Sequence, residues 1–166
     1  MIDTCILDIP YPEINPNEKS REKAMLLLPL FAGRVSEMTA INTYIYQSMI
    51  TKKEDPSLHD MLECISITEM KHFDILGQII YELGVLPKLY APKKGSRKTQ
   101  WYQGSFVDYS VLREVFLKEN IKAENTSIKD YTYVKNKINN KNIEDILDRI
   151  ILDERHHIEI FESLLQ

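Results

Sequence analysis

The stretch ITEMKHFDIL (residues 67–76) decides the fold, and LDERHHIEIF (residues 152–161) repeats its pattern. Each stretch places a glutamate three residues before a histidine within an otherwise apolar helical pattern. Residues three apart on an α-helix lie one turn apart on the same face, so both members of a pair can point at one centre. The two pairs are Glu69 with His72 and Glu154 with His157.

The two pairs belong to a longer internal repeat. EMTAINTY (37–44) aligns with ENTSIKDY (124–131), and DMLECISITEMKH (60–72) aligns with DILDRIILDERHH (145–157). The repeat therefore adds one upstream glutamate to each pair, Glu37 in the first half and Glu124 in the second. Because repeated positions take equivalent structural roles, each half contributes one set of three candidate ligands.

Helix geometry tests whether each set can meet in space. Glu37 lies about thirteen residues before the first turn and Glu69 about twelve after it, so at about 1.5 Å per residue both reach the same level. Glu124 and Glu154 are related in the same way across the second turn. Glu119 would overshoot by roughly 7 Å along the helix axis. The spacing therefore selects Glu124 over Glu119.

Composition predicts an all-α chain with a single main domain. The 166 residues include only five Gly and seven Pro, and they suffice for one core. We predict an N-terminal arm and short helix over residues 1–28, with the short helix starting near Glu18, and a four-helix bundle over residues 29–166. Two helical hairpins joined by a long crossover, residues 84–108, would form this bundle.

The predicted helix limits follow from caps, breakers and apolar periodicity. Pro29 is expected to open the first bundle helix, Ser57 to cap the second and Gly84 to end it. The third helix is predicted over residues 109–138 and the fourth from Ile143 to the C-terminus. The apolar positions that recur at helical spacing in the first two helices include Phe31, Val35, Met38, Ile41, Ile45, Met49, Leu58, Leu62, Ile65, Ile67, Leu76 and Ile80.

Four carboxylates inside an apolar bundle require compensation, since a buried charge without a partner is costly. Two divalent cations balance four carboxylates. Two neutral imidazoles would add one nitrogen to each metal, and a mixed set of oxygen and nitrogen ligands suits iron or manganese. The residues therefore predict two divalent metal ions per chain, either Fe or Mn.

The chain resembles the ferritin-like di-iron/di-manganese carboxylate superfamily, in which two helices each supply one Glu and two others each supply Glu-x-x-His. The resemblance covers the four helices from about Pro29 onward and implies a ferritin-like four-helix bundle. It also implies that Glu69 and Glu154 bridge the two metals, with no catalytic residues beyond the ligands. The six implied metal ligands are Glu37, Glu69, His72, Glu124, Glu154 and His157.

Rubrerythrins, bacterioferritins and manganese catalases are the relatives that the chain resembles most. Two cysteines cannot supply the four-cysteine iron domain of rubrerythrin, so any electron donor would be another protein, and Ser127 stands where rubrerythrin carries a further Glu. Met70 matches the haem-binding Met of bacterioferritin, but nothing else supports haem, and we do not expect it. Manganese catalases resemble the chain as well, but they are larger and carry extra segments that are absent here.

The resemblance implies an oxidoreductase that acts on peroxide or O2, as a peroxidase, ferroxidase or catalase. The alternative is a non-catalytic metal-binding, iron-storage or structural protein. We expect a homodimer, with a larger oligomer as the alternative, because two-fold symmetry is the commonest. The sequence cannot decide between iron and manganese.

Two further classes of protein, those that bind nucleic acid and those that associate with membranes, are not favoured. The segment KLYAPKKGSRKTQWYQ (88–103) mixes basic and aromatic residues, but the net charge is −4, so we interpret it as a solvated loop and expect no nucleic-acid partner. The N-terminus lacks a signal-peptide pattern and no apolar run of about eighteen residues is evident, so we expect no membrane association and a cytoplasmic location. Cys5 and Cys64 are accordingly expected to be ordinary thiols rather than a disulfide.

Several other residues flank the predicted ligands. Tyr44 and Tyr131, seven residues after the lone glutamates, can hydrogen-bond ligand carboxylates or carry an electron, although packing with a satisfied hydroxyl is the favoured interpretation. Three charged residues also flank predicted ligands in sequence: Arg34, Asp153 and Arg155. They could either contact the ligands from outside or lie on solvated helix faces, and both interpretations are equally good. His59 and His156 fall outside the repeated positions and are interpreted as non-ligands.

Overall fold

The structure, a computed structural model, describes residues 4–92 and 98–166. Over these residues the chain forms five α-helices, four of which pair as two hairpins, α2 with α3 and α4 with α5. The prediction of an all-α bundle built from two hairpins and a long crossover is confirmed. The helices are α1 (Arg21–Ala32), α2 (Glu37–Thr51), α3 (Pro56–Glu82), α4 (Arg113–Ile138) and α5 (Lys141–Leu164).

The prediction that Pro29 opens the first bundle helix is wrong. Pro29 lies inside α1, which begins after the Ser20 cap and ends where the Gly33 amide donates to the Pro29 carbonyl at 3.0 Å. A proline inside a helix costs about 3 kcal/mol. Burial of an apolar side chain such as Leu27 or Phe31 returns about 1.5 to 3 kcal/mol, so packing outweighs this cost.

Gly33 then separates α1 from α2. A Cβ atom at this position would lie 2.4 Å from the Pro29 carbonyl oxygen, too close for any side chain. The chain leaves the helix there, and Ser36 caps α2 by accepting a hydrogen bond from the Thr39 amide at 3.3 Å. The cap places Glu37 at the first position of α2.

The hairpin turns are closed by polar caps. Asp55, rather than the predicted Ser57, caps α3 by accepting from the Leu58 amide at 3.1 Å, because Pro56 occupies the first helical position. Gly84, with φ of 89°, follows the end of α3, as expected. In the second hairpin, Asn140 accepts from the Ile143 amide at 3.1 Å and starts α5.

Two apolar clusters fill the bundle at different levels. The larger one joins α1 to the second half of α3, the end of α4 and the start of α5. The smaller one includes Tyr44, Leu62, Phe116 and Phe161. The predicted ligands on α3, α4 and α5 fall between the two clusters in sequence. Met49 and Ile67, predicted on the apolar face, are instead 67% and 64% exposed.

The crossover carries no core helix, as predicted, but forms a short hairpin. Strand β1 (Tyr90–Pro92) pairs antiparallel with β2 (Thr99–Trp101), with Tyr90 opposite Trp101. A single 3-10 turn follows over Gly104–Phe106. Helix α4 begins at Arg113 rather than at residue 109. Lys93, Lys94 and Arg97, part of the predicted basic segment, lie outside the described residues.

The N-terminal arm, residues 4–20, lies on the body of the protein. Arg149 on α5 holds it by donating from Nε to the Ile9 carbonyl at 2.9 Å and from Nη2 to the Leu7 carbonyl at 3.0 Å. His156 contacts the Thr4 carbonyl at 2.8 Å. The arm therefore follows α5 on the side of its Asp-Glu-Arg-His-His stretch.

The expectation that the two cysteines are separate thiols is wrong. Cys5 and Cys64 form a disulfide with their Cα atoms 5.8 Å apart, within the usual range for this bond. The pair is separated by 59 residues in sequence, and only the path of the arm along the bundle brings Cys5 to α3. The disulfide joins the arm covalently to the helix that carries Glu69 and His72.

One segment, Arg21–Thr51, is long and apolar enough by length and mean composition to cross a membrane, although it contains no continuous apolar run of eighteen residues. In the structure this segment divides into α1 and α2, and just over half of its most apolar window is buried within the protein. Core helices have the same composition, so this feature is explained by packing against α3 and α4.

Candidate metal centre

The six residues predicted as ligands converge in the middle of the bundle. Each is buried, with at most 3% of its surface exposed. They form two groups that share Glu69 and Glu154, and within each group one potential ligand atom per residue lies within 4.8 Å of the others. One group adds Glu37 and His72 to the shared pair, and the other adds Glu124 and His157.

Matched helix heights explain this convergence. The structure brings Glu124, not Glu119, into the cluster, as the spacing argument requires. The Glu119 side chain is 50% exposed and pairs with Lys122 at 3.1 Å on the outer face of α4. The ligand role of the six residues stays a prediction, but their side chains occupy the positions that it needs.

Both imidazoles present Nδ1 to the carboxylates. His72 Nδ1 lies 3.0 Å from Glu69 Oε2 and 3.3 Å from Glu154 Oε1. His157 Nδ1 lies 3.0 Å from Glu69 Oε1 and 3.5 Å from Glu154 Oε2. The two shared glutamates therefore lie between the two histidines, with one oxygen of each carboxylate directed to each side.

The other ring nitrogen of each histidine points away from the carboxylates. His72 Nε2 lies 3.0 Å from the Tyr11 hydroxyl and 3.2 Å from Asp153 Oδ2, while His157 Nε2 lies 3.1 Å from the Cys5 carbonyl oxygen. A carbonyl can only accept, so in the neutral imidazole it favours a proton on Nε2 and leaves the Nδ1 lone pair free. This is the tautomer that a metal ligand needs.

Asp153 is an outer partner of the cluster, which resolves one of the alternatives open from sequence. The side chain is fully buried, contacts His72, accepts from the Tyr11 hydroxyl and pairs with Arg149 Nη1 at 2.7 Å. Arg34 and Arg155, which flank predicted ligands in the same way in sequence, are both exposed and lie outside the cluster.

The two buried tyrosines tie the hairpins together. Tyr44 on α2 donates to Glu124 on α4, and Tyr131 on α4 donates to Glu37 on α2. The sequence suggested carboxylate partners on the same helix face, but the hydrogen bonds cross between hairpins. The packing and hydrogen-bonding interpretations of these residues hold, since each ring packs in an apolar cluster and each hydroxyl is satisfied by a candidate ligand, while a role in carrying an electron stays a prediction.

Burial and mutual repulsion set the protonation of the glutamates. Desolvation, followed by the charges of Glu69 and Glu154, raises the pKa of Glu37 and of Glu124 well above the ordinary value. Burial alone would also raise the pKa of Glu69, but the neighbouring imidazoles of His157 and His72 lower it instead. Glu154 behaves in the same way, with a lowered pKa.

The pKa values of the two histidines change in the direction opposite to the one that burial alone would cause. Desolvation alone would lower their pKa, but the surrounding carboxylates raise that of His157 to about 10 and that of His72 well above its ordinary value. By themselves, the residues thus balance two ionised carboxylates, Glu69 and Glu154, with two imidazolium ions. Divalent cations would take the place of these protons.

The buried polar atoms fit a pair of metal ions. Both oxygens of Glu154, together with Glu69 Oε1 and His157 Nδ1, make no well-directed hydrogen bond within the described part of the chain, although all are shielded from solvent. A buried polar group without a partner costs roughly 1 to 3 kcal/mol. Metal coordination would satisfy these atoms, which belong to the two shared glutamates and one histidine.

A cavity of about 130 Å³ opens onto one side of the cluster. It lies between α2 and α4 beneath the crossover, and Glu124 and Tyr44 form part of its wall. At about 30 Å³ per water molecule, the cavity has room for a few molecules of that size. Its other lining residues include polar side chains, among them Thr43, Asn120 and Ser127, and the apolar Phe106.

Two histidines and one methionine lie outside the cluster. His59 Nδ1 lies 2.9 Å from the Ser48 carbonyl, and His156 contacts the arm; neither belongs to a candidate metal group among the described residues. Both placements agree with their interpretation as non-ligands. Met70 lies on the outer face of α3 with 41% of its surface exposed.

Comparisons with known proteins agree with this architecture. The rubrerythrin family model matches residues 32–165. The manganese catalase KatB from Anabaena PCC7120 is similar in structure, with a TM-score of 0.81 and 22% identity over 96% of this chain and 78% of that one. The bacterioferritin of Desulfovibrio desulfuricans matches with a TM-score of 0.70 and 21% identity over 87% of this chain and 78% of that one.

A search of curated proteins found no match to the chain. At these identities the structural matches show the fold alone, which is the predicted ferritin-like bundle. The family match is broader, since it spans all four bundle helices and every predicted ligand. This protein is therefore a member of the rubrerythrin family, with two adjacent buried clusters of carboxylates and histidine suited to a dinuclear metal site.

Proposed function

We propose that the protein is a dinuclear iron or manganese oxidoreductase that acts on peroxide or O2. The observation that carries this proposal is the pair of four-residue groups that share Glu69 and Glu154 in a buried site beside a small cavity. Further support comes from the solved structures that the fold resembles, one of a manganese catalase and the other of a bacterioferritin with a diiron site.

In this proposal, each group would hold one metal. Glu37 and His72 would bind the first ion, Glu124 and His157 the second, and the two shared glutamates would bridge them. A bound pair of iron or manganese ions supplies two electrons, one from each ion, which is what cleavage of the peroxide O–O bond requires.

The protein's own residues would prepare the site for that chemistry. Tyr44 and Tyr131 hold the two lone glutamates by hydrogen bonds from opposite hairpins. Asp153 and the Cys5 carbonyl fix the outer nitrogens of the histidines. The apolar clusters above and below exclude bulk water, while the cavity beside Glu124 would admit a molecule as small as peroxide.

Peroxide reduction would need electrons from outside the site. Since the two cysteines are joined in a disulfide, they do not offer a thiolate iron centre, and we propose a separate electron-donor protein. A catalase would need no donor, because peroxide then serves as both oxidant and reductant.

Peroxide consumption tests the proposed function. We expect protein loaded with Fe(II) or Mn(II) to consume hydrogen peroxide, and metal-free protein and the Glu154→Ala variant not to. Glu114→Ala is the matched control, because Glu114 is an exposed glutamate of α4 that pairs with Lys118 on the outer face of the bundle. Metal-loaded protein that binds two ions but leaves peroxide unchanged, with or without a reductant, would favour the metal-binding or storage alternative.

A further inference from the structure

The N-terminal arm reaches both histidines of the metal centre. The Tyr11 hydroxyl lies 3.0 Å from His72 Nε2. Cys5, six residues before Tyr11 in the arm, places its carbonyl oxygen 3.1 Å from His157 Nε2. Both contacts fall on the ring nitrogen that points away from the glutamates. One extended segment therefore contacts the outer nitrogen of both imidazoles.

Tyr11 is held firmly in this place. Its hydroxyl donates to Asp153, and two cations contact its ring, with Lys71 Nζ 4.5 Å and the Arg149 guanidinium carbon 4.4 Å from the ring centroid. Cation–π contacts of this kind stabilise the position of an aromatic ring. The hydroxyl thus meets His72 from a fixed direction.

Cys5 is held by a covalent bond as well as by hydrogen bonds. Its side chain is joined to Cys64, which lies on α3 five residues before Glu69. Next along the arm, the Leu7 amide donates to Asp153 Oδ1 at 3.3 Å, and Arg149 binds the Leu7 carbonyl. Among the described residues, the Cys5 carbonyl is the hydrogen-bond partner of His157 Nε2.

We propose that the disulfide-anchored arm is a positioning element for both histidines, with Tyr11 orienting His72 and the Cys5 carbonyl orienting His157. Each contact fixes a ring so that Nδ1 faces the shared glutamates. Outer partners of this kind change metal affinity by about 10 to 100-fold when they are removed. The inference rests on the dinuclear centre of the proposed function, not on its reaction with peroxide.

The Tyr11→Phe variant tests the His72 side, with Co(II) as the probe metal. The variant keeps the ring and its two cations but loses the hydroxyl. We expect about a tenfold loss of Co(II) affinity at one of two sites, together with a changed visible spectrum of that ion. Tyr46→Phe is the matched control, because the Tyr46 hydroxyl contacts the Tyr109 carbonyl at 3.3 Å, outside the cluster.

The disulfide gives an independent test on the His157 side. We expect treatment of the folded, Co(II)-loaded protein with dithiothreitol, which converts the disulfide to two thiols, to speed release of one Co(II) ion to a chelator by about tenfold. The Cys64→Ser variant should behave like the reduced protein. The wild-type fold is the starting material, so the result does not depend on a variant that folds.

Double variants separate positioning from general stability. In a His72→Ala background, Tyr11→Phe should cause no further loss of Co(II) affinity, whereas in a His157→Ala background it should cause its full loss. Reduction of the disulfide should show the reverse pattern: it should weaken Co(II) binding further in the His72→Ala background but not in the His157→Ala background. Equal losses in both backgrounds, or unchanged affinity in both single tests, would overturn the positioning role. Two bound Co(II) ions without peroxide activity would overturn only the proposed function, whereas wild-type protein that binds no Co(II) would overturn both.

Discussion

Metal uptake by this protein should release protons, and the number released should depend on pH. His72 and His157 both carry a raised pKa, about 10 for His157, so both are protonated at pH 7. Each must lose its proton to offer Nδ1 to a metal. Glu37 and Glu124 also have a raised pKa, and they too must be ionised to act as ligands.

The magnitude follows from these four groups. At pH 7 the two imidazolium ions give at least two protons for each pair of metals bound. At any pH at which Glu37 and Glu124 are also protonated, the number rises toward four. Each released proton weakens overall binding about tenfold for each unit by which the pH is lowered, so the association constant for two metals should fall at least 100-fold per unit while both histidines are protonated.

Titration calorimetry with Mn(II) in buffers of different ionisation enthalpy measures the proton count directly. The Glu124→Gln variant should release one proton fewer than the wild type at acidic pH, where its amide has no proton to lose. Metal binding that releases no protons between pH 6 and 7 would refute the reasoning. It would show that the histidines are neutral or are not ligands.

Two further predictions concern the shared glutamates and the cavity. Glu69→Ala should abolish pairwise metal binding while leaving the helical circular dichroism unchanged, whereas Glu119→Ala should bind two metals; full occupancy in Glu69→Ala would contradict its assignment as a shared ligand. Ser127→Leu should fill part of the cavity beside Glu124 and slow peroxide consumption severalfold without reducing the number of metals bound at equilibrium. Unchanged kinetics in this variant would exclude the cavity as the route to the site.

The positions of the candidate ligands were predictable because they depend on local geometry. Helical periodicity places Glu69 and His72 on one face, and the constant rise per residue places Glu124 at the height of Glu154. The internal repeat shows the same ligand pattern a second time, in the other half of the chain. These rules need no knowledge of tertiary packing beyond the assumption that each hairpin is antiparallel, which the structure satisfies.

Features that depend on the path of the chain were not predictable from local patterns. Cys5 and Cys64 pair because the arm follows α5 and meets α3, a path that no sequence period encodes. The contacts of Tyr11 and Cys5 with the histidines have the same origin. The hydrogen bond from Tyr44 to Glu124 crosses hairpins, whereas periodicity relates residues only within one helix.

The helix that contains Pro29 illustrates a different limit. The local rule that proline opens helices is a preference of a few kilocalories per mole, and burial of the surrounding leucines exceeds it. Ile67 fits the apolar period of α3 yet is 64% exposed, because apolar residues also occupy outward positions.

The central claim is a dinuclear metal centre, and metal counting tests it most directly. The protein would be reconstituted anaerobically with equal Fe(II) and Mn(II), desalted and analysed for both elements. We predict about two metal ions per chain, as this ligand set requires, with the dominant element directing assays toward peroxidase and ferroxidase for iron or catalase for manganese. Little or no bound metal of either kind would contradict the account.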